Sequence, residues 1–321
     1  MNIVLKKIKK NSKGRNLIFS NESDVYYITR IKSSNLSLAL INEIWYAFTD
    51  SRYIEIVNKK MNIKVINMSV KKWLQNFIED KNIDKIFMDS KNTTIKSFKN
   101  LKNYFEKNNI ELLSFEYPFL RNLYIEKDIQ KLKKSSQIND QIFLKIKKKI
   151  KIGMTEKDVL NLILKEIIDS PAEKESFEPI VAFGESGSNP HWHASEKKIK
   201  KNEMITIDMG VFYKGFASDM TRTFVLEGKP SKEEEKIFNV VKEAMNSSIK
   251  MIKSGVKINE LYNNSMKIIH DNGYGEYFNH SLGHGIGIEI HEYPNICPSN
   301  KNELEEGMTI TIEPGIYIPG K

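Results

Sequence analysis

Apolar positions along the chain change character near residue 125. Before that point, short apolar runs alternate with helical spacing. Leu17–Phe19, Val25–Ile28, Leu36–Ile41 and Ile44–Phe48 read as strands, the last two separated by a polar Asn42–Glu43. Thr49-Asp50-Ser51-Arg52 reads as a turn, and Tyr53–Val57 resumes the apolar pattern. Strand Ile63–Met68, helix Val70–Ile78, strand Lys85–Asp89, helix Thr93–Lys107 and strand Ile110–Phe115 follow. Strands alternating with helices predict a small α/β domain over residues 1–125.

A boundary near Pro118–Lys127 opens a second region, 126–321. Ile129, Leu132, Ile142, Ile146 and Ile150 space as one helical face, ended by Gly153. Thr155-Glu156-Lys157-Asp158 has the form of a capping box, and Val159, Leu160, Ile163, Leu164, Ile167 and Ile168 form the stripe behind it. The same grammar returns at Ser231-Lys232-Glu233-Glu234, ahead of a helix that Gly255 ends. Asn259 opens a further helix that runs to Gly273. Strand-like segments lie between these helical blocks. Helices then hairpins, twice over, predict a two-fold repeated α+β domain.

Composition narrows the classes. The chain has 321 residues, 40% hydrophobic and 28% charged, which suits a folded globular protein of about two domains. Cys297 stands alone, so an intrachain disulfide or a CxxC metal site is excluded. The opening residues hold no apolar leader and no long apolar run follows, so no membrane span is expected and the location expected is cytoplasmic. Residues 1–150 carry a net +15 and residues 151–321 a net −6. A basic half raises nucleic acid as a partner. Only five of the 50 basic residues are arginines, however, and lysine is poor at bidentate reading of bases and phosphates. A solvated lysine surface, with no nucleic-acid partner, is the better reading.

Candidate chemistry lies in the acidic half. In Met204–Thr223 two strands run around a turn near Tyr213–Gly215. A turn centred between Tyr213 and Lys214 would set Asp208 opposite Asp219, two carboxylates ~4.5–5.5 Å apart that repel unless a cation lies between them. Three of the six histidines, His280, His284 and His291, fall within twelve positions, and glycines surround His284. Histidine is a metal ligand and a proton shuttle. Alternation places Thr309, Thr311 and Glu313 on one strand face before Pro314-Gly315 interrupts it. His191 and His193 sit together in Asn189–Ser195.

Together these segments resemble the pita-bread metallopeptidases: methionine aminopeptidase, aminopeptidase P and Xaa-Pro dipeptidase (prolidase). NPHWHAS, TIDMGVFYKGFASDMTRTF, HSLGHGIGIEIHE and GMTITIEPGIYIPG look like four family segments in the family's order. FTDSRY and the α/β pattern before it resemble the N-terminal domain of the Xaa-Pro branch, which ordinary methionine aminopeptidases lack. Creatinase shares both domains but not the ligands, and Asp208, Asp219, His284 and Glu313 argue against it.

The resemblance implies a pita-bread α+β catalytic domain behind a creatinase/prolidase-type α/β domain. It implies a metalloexopeptidase that cuts between an N-terminal residue and a following proline by attack of a metal-bound hydroxide. Its partners would be peptides with proline second, and a homodimer is compatible with it. Two divalent ions are implied, manganese first, with cobalt, zinc or iron as alternatives. Asp208 would bind one ion, Asp219 would bridge, and His284 and Glu313 would bind the other. Glu313 would also take a proton, and His191, His280 and His291 would hydrogen-bond substrate and intermediate or relay protons. The resemblance further calls for a second bridging glutamate near position 327. The sequence ends at Lys321 with no acid after Glu313, so the second site is expected to be incomplete, as in a truncated record of a normal enzyme. The alternative is a catalytically impaired domain that binds peptides or proteins.

Overall fold

The computed structural model describes residues 3–79, 81–89, 93–115, 120, 121 and 124–321. The chain divides into two compact units, Met1–Leu120 and Arg121–Lys321. The predicted boundary region Pro118–Lys127 lies partly outside the described residues.

The first unit runs α1 (Ile3–Ser12), β1 (Leu17–Phe19), α2 (Glu22–Thr29), β2 (Leu36–Ile41), β3 (Ile44–Thr49), α3 (Ile54–Lys60), β4 (Lys64–Asn67), α4 (Trp73–Glu79), β5 (Lys85–Asp89), α5 (Ile95–Glu106) and β6 (Glu111–Phe115). Its sheet order is β4-β3-β2-β1-β5-β6. β2 and β3 are antiparallel, and Asn42 and Glu43 both have positive φ, as a two-residue primed hairpin turn requires. The two strands are buried almost throughout, as suits a sheet covered on both faces.

One expectation fails here. Val25–Ile28 is not a strand but part of α2. A four-residue apolar run does not distinguish strand from helix. At α2 the cap decides, because Asn21 Oδ1 accepts from the Ser23 and Asp24 amides.

The second unit opens with α6 (Glu126–Lys149) and α7 (Glu156–Ile168). β7 (Lys174–Glu175), β8 (Ile180–Phe183), β9 (Met204–Met209), β10 (Val211–Tyr213), β11 (Phe216–Ala217) and β12 (Met220–Val225) follow. Then α8 (Lys232–Met251) and α9 (Ile258–Asp271) precede β13 (Gly283–Gly285) and β14 (Glu292–Ile296). Helix pair and hairpins thus occur twice, as the apolar pattern predicts. Both predicted capping boxes form, at Thr155/Asp158 and Ser231/Glu234. α9 starts one residue before Asn259, with Lys257 at its cap. α6 ends at Lys149, ahead of the left-handed Gly153.

Each half has its own core. Ile138, Ile142 and Ile146 of α6, Val159, Ile163 and Ile167 of α7, and Ile205, Ile207 and Met209 of β9 fill the first. Val240, Ala244, Leu261, Ile269, Leu282 and Ile296 fill the second. A fully buried aliphatic side chain contributes about 1.5–3 kcal/mol, so these faces fix which side of β9 points inward. The strand's other face carries Thr206 and Asp208.

Candidate metal centre

Asp208 is aimed by the alternation of β9. With Ile205, Ile207 and Met209 held in the core, its carboxylate emerges on the opposite face, half-buried. Asp208 Oδ1 is buried without a hydrogen-bond partner. Burial first, then repulsion from Asp219, pushes its pKa up to about 7.

Asp219 does not lie directly across from it. Tyr213 pairs with Phe216, and Asp208 pairs with Thr221. The turn is the two-residue Lys214-Gly215, both at positive φ, one position later than the expected centre. This primed turn sets the register and makes Asp219 a diagonal neighbour of Asp208. The ladder also breaks beside Asp219, where the hairpin passes from one small sheet to another. Gly210 permits the crossing, since a Cβ there would sit 2.0 Å from the Ser218 carbonyl oxygen. The Val211 amide donates to Ser218 Oγ, and Ser135 and Asn139 of α6 donate to the Val211 and Met209 carbonyls.

His284 is the central residue of β13. Its Nδ1 lies 2.9 Å from the Gly285 carbonyl, which leaves Nε2 facing Asp219 Oδ2 at 3.4 Å and Glu313 Oε1 at 3.1 Å. Burial opposes the charged ring, but hydrogen bonds to Asp219 and Glu313 outweigh it and raise the pKa to about 10. The flanking glycines serve close packing. A Cβ on Gly283 would lie 2.1 Å from the Thr311 carbonyl oxygen, and one on Gly285 2.2 Å from that of Tyr293.

Glu313 comes from an extended segment bonded along β13 rather than from a regular strand. The Ile286 amide donates to Thr309, the Thr311 amide to His284 and the Glu313 amide to Leu282. Thr311 Oγ1 donates to Glu313 Oε1 at 2.9 Å. Burial raises the Glu313 pKa, but bonding to His284 overrides this and holds it low.

Ligand atoms of Asp219, His284 and Glu313 therefore all lie within 4.8 Å of one another. Two carboxylate oxygens and one imidazole nitrogen, with the buried and unpartnered Asp208 oxygen beside them, form a donor set that fits a divalent transition metal. Asp208 is the one predicted ligand outside that group of three. His291 packs edge-to-face on His284, ring centroids 4.4 Å apart. Its pKa is lowered by desolvation and then by the His284 charge. His280 packs between Phe278 and Tyr317, its Nε2 buried without a partner. His191 lies on an exposed loop.

The sequence reading missed the groups that hold these histidines. Glu156, wholly buried, accepts from the Phe183 amide, the Trp192 indole, and the amide and hydroxyl of Ser195. It thereby ties down the loop that carries His191. Its place directly after a helix cap hides this role, because an acid there is ordinary. Tyr317 was missed too. Burial, then the Glu313 and Asp208 charges, pushes its hydroxyl up to about 12.

The sequence pattern of metallopeptidase family M24 matches residues 130–321. An uncharacterized peptidase of Staphylococcus aureus is 39% identical over 238 residues, 74% of this chain and 68% of that protein. An Xaa-Pro dipeptidase from Bacillus anthracis superposes with a TM-score of 0.91 at 31% identity, covering 98% of this chain and 89% of that one. An X-Pro aminopeptidase from Thermotoga maritima gives 0.87 at 28% identity, covering 98% and 92%. With the repeated helix-and-hairpin architecture already described, these likenesses show that the chain belongs to metallopeptidase family M24 and carries its pita-bread fold.

Proposed function

We propose that the chain is a cytosolic metalloexopeptidase that hydrolyses the bond between an N-terminal residue and a following proline, as an aminopeptidase or dipeptidase. The observation that carries this reading is the convergence of Asp219, His284 and Glu313 beside the unpartnered Asp208 oxygen. Solved relatives named for Xaa-Pro peptides support the specificity. Proline's tertiary amide lacks an N–H and fixes φ, so a dedicated site has a chemical purpose.

In this proposal Asp219, His284 and Glu313 hold one divalent ion, manganese first, and Asp208 with Asp219 holds a second. A bound ion supplies Lewis-acid polarisation and lowers the pKa of water. The chain's own groups do the rest. Glu313 holds a proton taken from the nucleophile. His291, on the face of His284, donates a hydrogen bond to the carbonyl oxygen as charge develops there. His280 and His191 orient the peptide.

The test is release of the first residue from Xaa-Pro peptides by the manganese-supplemented protein, with matched Xaa-Ala peptides as controls. Preferential cleavage before proline is expected, abolished by His284→Ala. Manganese binding should fall in that variant by more than the about 10–100-fold that loss of an outer partner costs. Neither turnover nor metal binding in the parent would overturn the reading in favour of a silent peptide-binding domain.

A further inference from the structure

We infer that Tyr124 and Glu292, tied together by Arg121, are positioning residues that set where His291 stands against His284. This rests on the peptidase reading above only for its kinetic consequence.

His291 ends a loop. Residues 286–291 belong to no helix or strand, and the ladder holds only the loop's ends, where Glu292 pairs with Gly285. Side chains supply the missing constraints. The Ile288 amide donates to Tyr124 Oη at 3.1 Å, and Tyr124 Oη donates to Glu292 Oε2 at 2.5 Å. Glu292 Oε1 accepts from the Glu289 amide at 3.1 Å and from Arg121 Nη1 at 3.2 Å. Arg121 Nη2 also meets Glu289 Oε2 at 2.8 Å. Two successive loop amides are thus held by one buried tyrosine and one carboxylate whose side chain is 2% exposed.

The fit is tight. A Cβ on Gly287 would sit 2.0 Å from Tyr124 Oη, so the loop closes onto the hydroxyl. On its other side the Gly287 carbonyl accepts from the Ala217 amide, two residues before Asp219. The Tyr124 ring itself stands edge-on to Phe216. One tyrosine therefore references the His291 loop to the hairpin that carries Asp219.

Stability alone does not account for this arrangement. A buried ion pair roughly breaks even against apolar packing of the same volume. It does select one geometry, because moving the loop strands a buried charge. Glu292 is covalently next to His291, so any slip of its carboxylate moves the imidazole. Burial raises both the Tyr124 and Glu292 pKa values, which keeps the tyrosine a neutral donor.

The experiment pairs Tyr124→Phe with Glu292→Gln in the full chain, using histidine-selective isotope labelling. In the parent, the 4.4 Å ring contact should give nuclear Overhauser effects between His284 and His291. Their loss in either folded variant is expected. With manganese-loaded protein and an Xaa-Pro peptide, kcat should fall about 100-fold with KM and manganese affinity little changed, the scale for about 1 Å of misplacement. Variants that melt lower but keep the ring contact and kcat would show a structural role only and overturn the proposal. Absence of turnover in the parent would sink the peptidase reading while leaving the ring contact to decide this one.

Discussion

Glu156 shows how much one side chain does when it is wholly buried and fully bonded. Desolvation alone would raise its pKa, yet four donors hold it below the ordinary glutamate value of 4.5. A depressed folded pKa means the unfolded chain binds the proton first. The stabilisation is therefore complete above about pH 4.5 and is lost as pH falls through the lower folded value. Glu156→Gln should cost about 1–3 kcal/mol at neutral pH, because one acceptor oxygen becomes a donor facing donors. The same change should flatten the fall of melting temperature in acid. Thermal melts of both proteins across that range check this, and parallel curves would count against it.

At the scale of elements, the Lys214-Gly215 turn governs the centre from a distance. Its two positive-φ residues set the register that puts Asp208 opposite Thr221 and Asp219 on the diagonal. A turn one residue earlier would move every cross-strand partner by two positions, keeping both carboxylates on their face but setting Asp208 directly opposite Asp219. Gly215→Val places a β-branched residue in the left-handed region, at a cost of about 1–2 kcal/mol. It should lower both stability and manganese affinity, read by urea unfolding and calorimetric titration. Lowered stability with unchanged affinity would mean that the α6 contacts to Met209 and Val211 hold Asp219 without the turn's help.

For the whole second unit, the centre is a concentration of like charge that folding alone must carry. Asp208 and Asp219 repel, and Glu313 adds to this, while His284 bonds to both Asp219 and Glu313 as a counter-charge. A divalent cation in that place binds only the folded chain. At about 100 times its Kd, one manganese ion should add about 2.7 kcal/mol of stability. The melting temperature should rise on manganese addition and return with a chelator. Asp219→Asn should start higher without metal, as repulsion is relieved, and gain little from manganese. A melt indifferent to manganese in the parent would argue against a metal centre.

What the sequence determined by itself is local and periodic. Apolar period separated the alternating strands and helices of the first unit from the repeated helix-and-hairpin pattern of the second. Two capping boxes marked where α7 and α8 begin, because a cap is satisfied within four residues. The segments bearing Asp208, Asp219, His284 and Glu313 were legible as motifs because each is a contiguous stretch that resembles a family segment. Short apolar runs such as Val25–Ile28 were not, since their length suits either element and the Asn21 cap decides it. Tertiary structure alone decided distances and supports. The turn chose Thr221 rather than Asp219 as the partner of Asp208, Glu156 reached across 39 positions to Ser195, and Tyr124 reached across 168 to Glu292. Such pairs leave no mark in local periodicity. They form because a buried polar group must find its partner wherever the packed core brings one within reach.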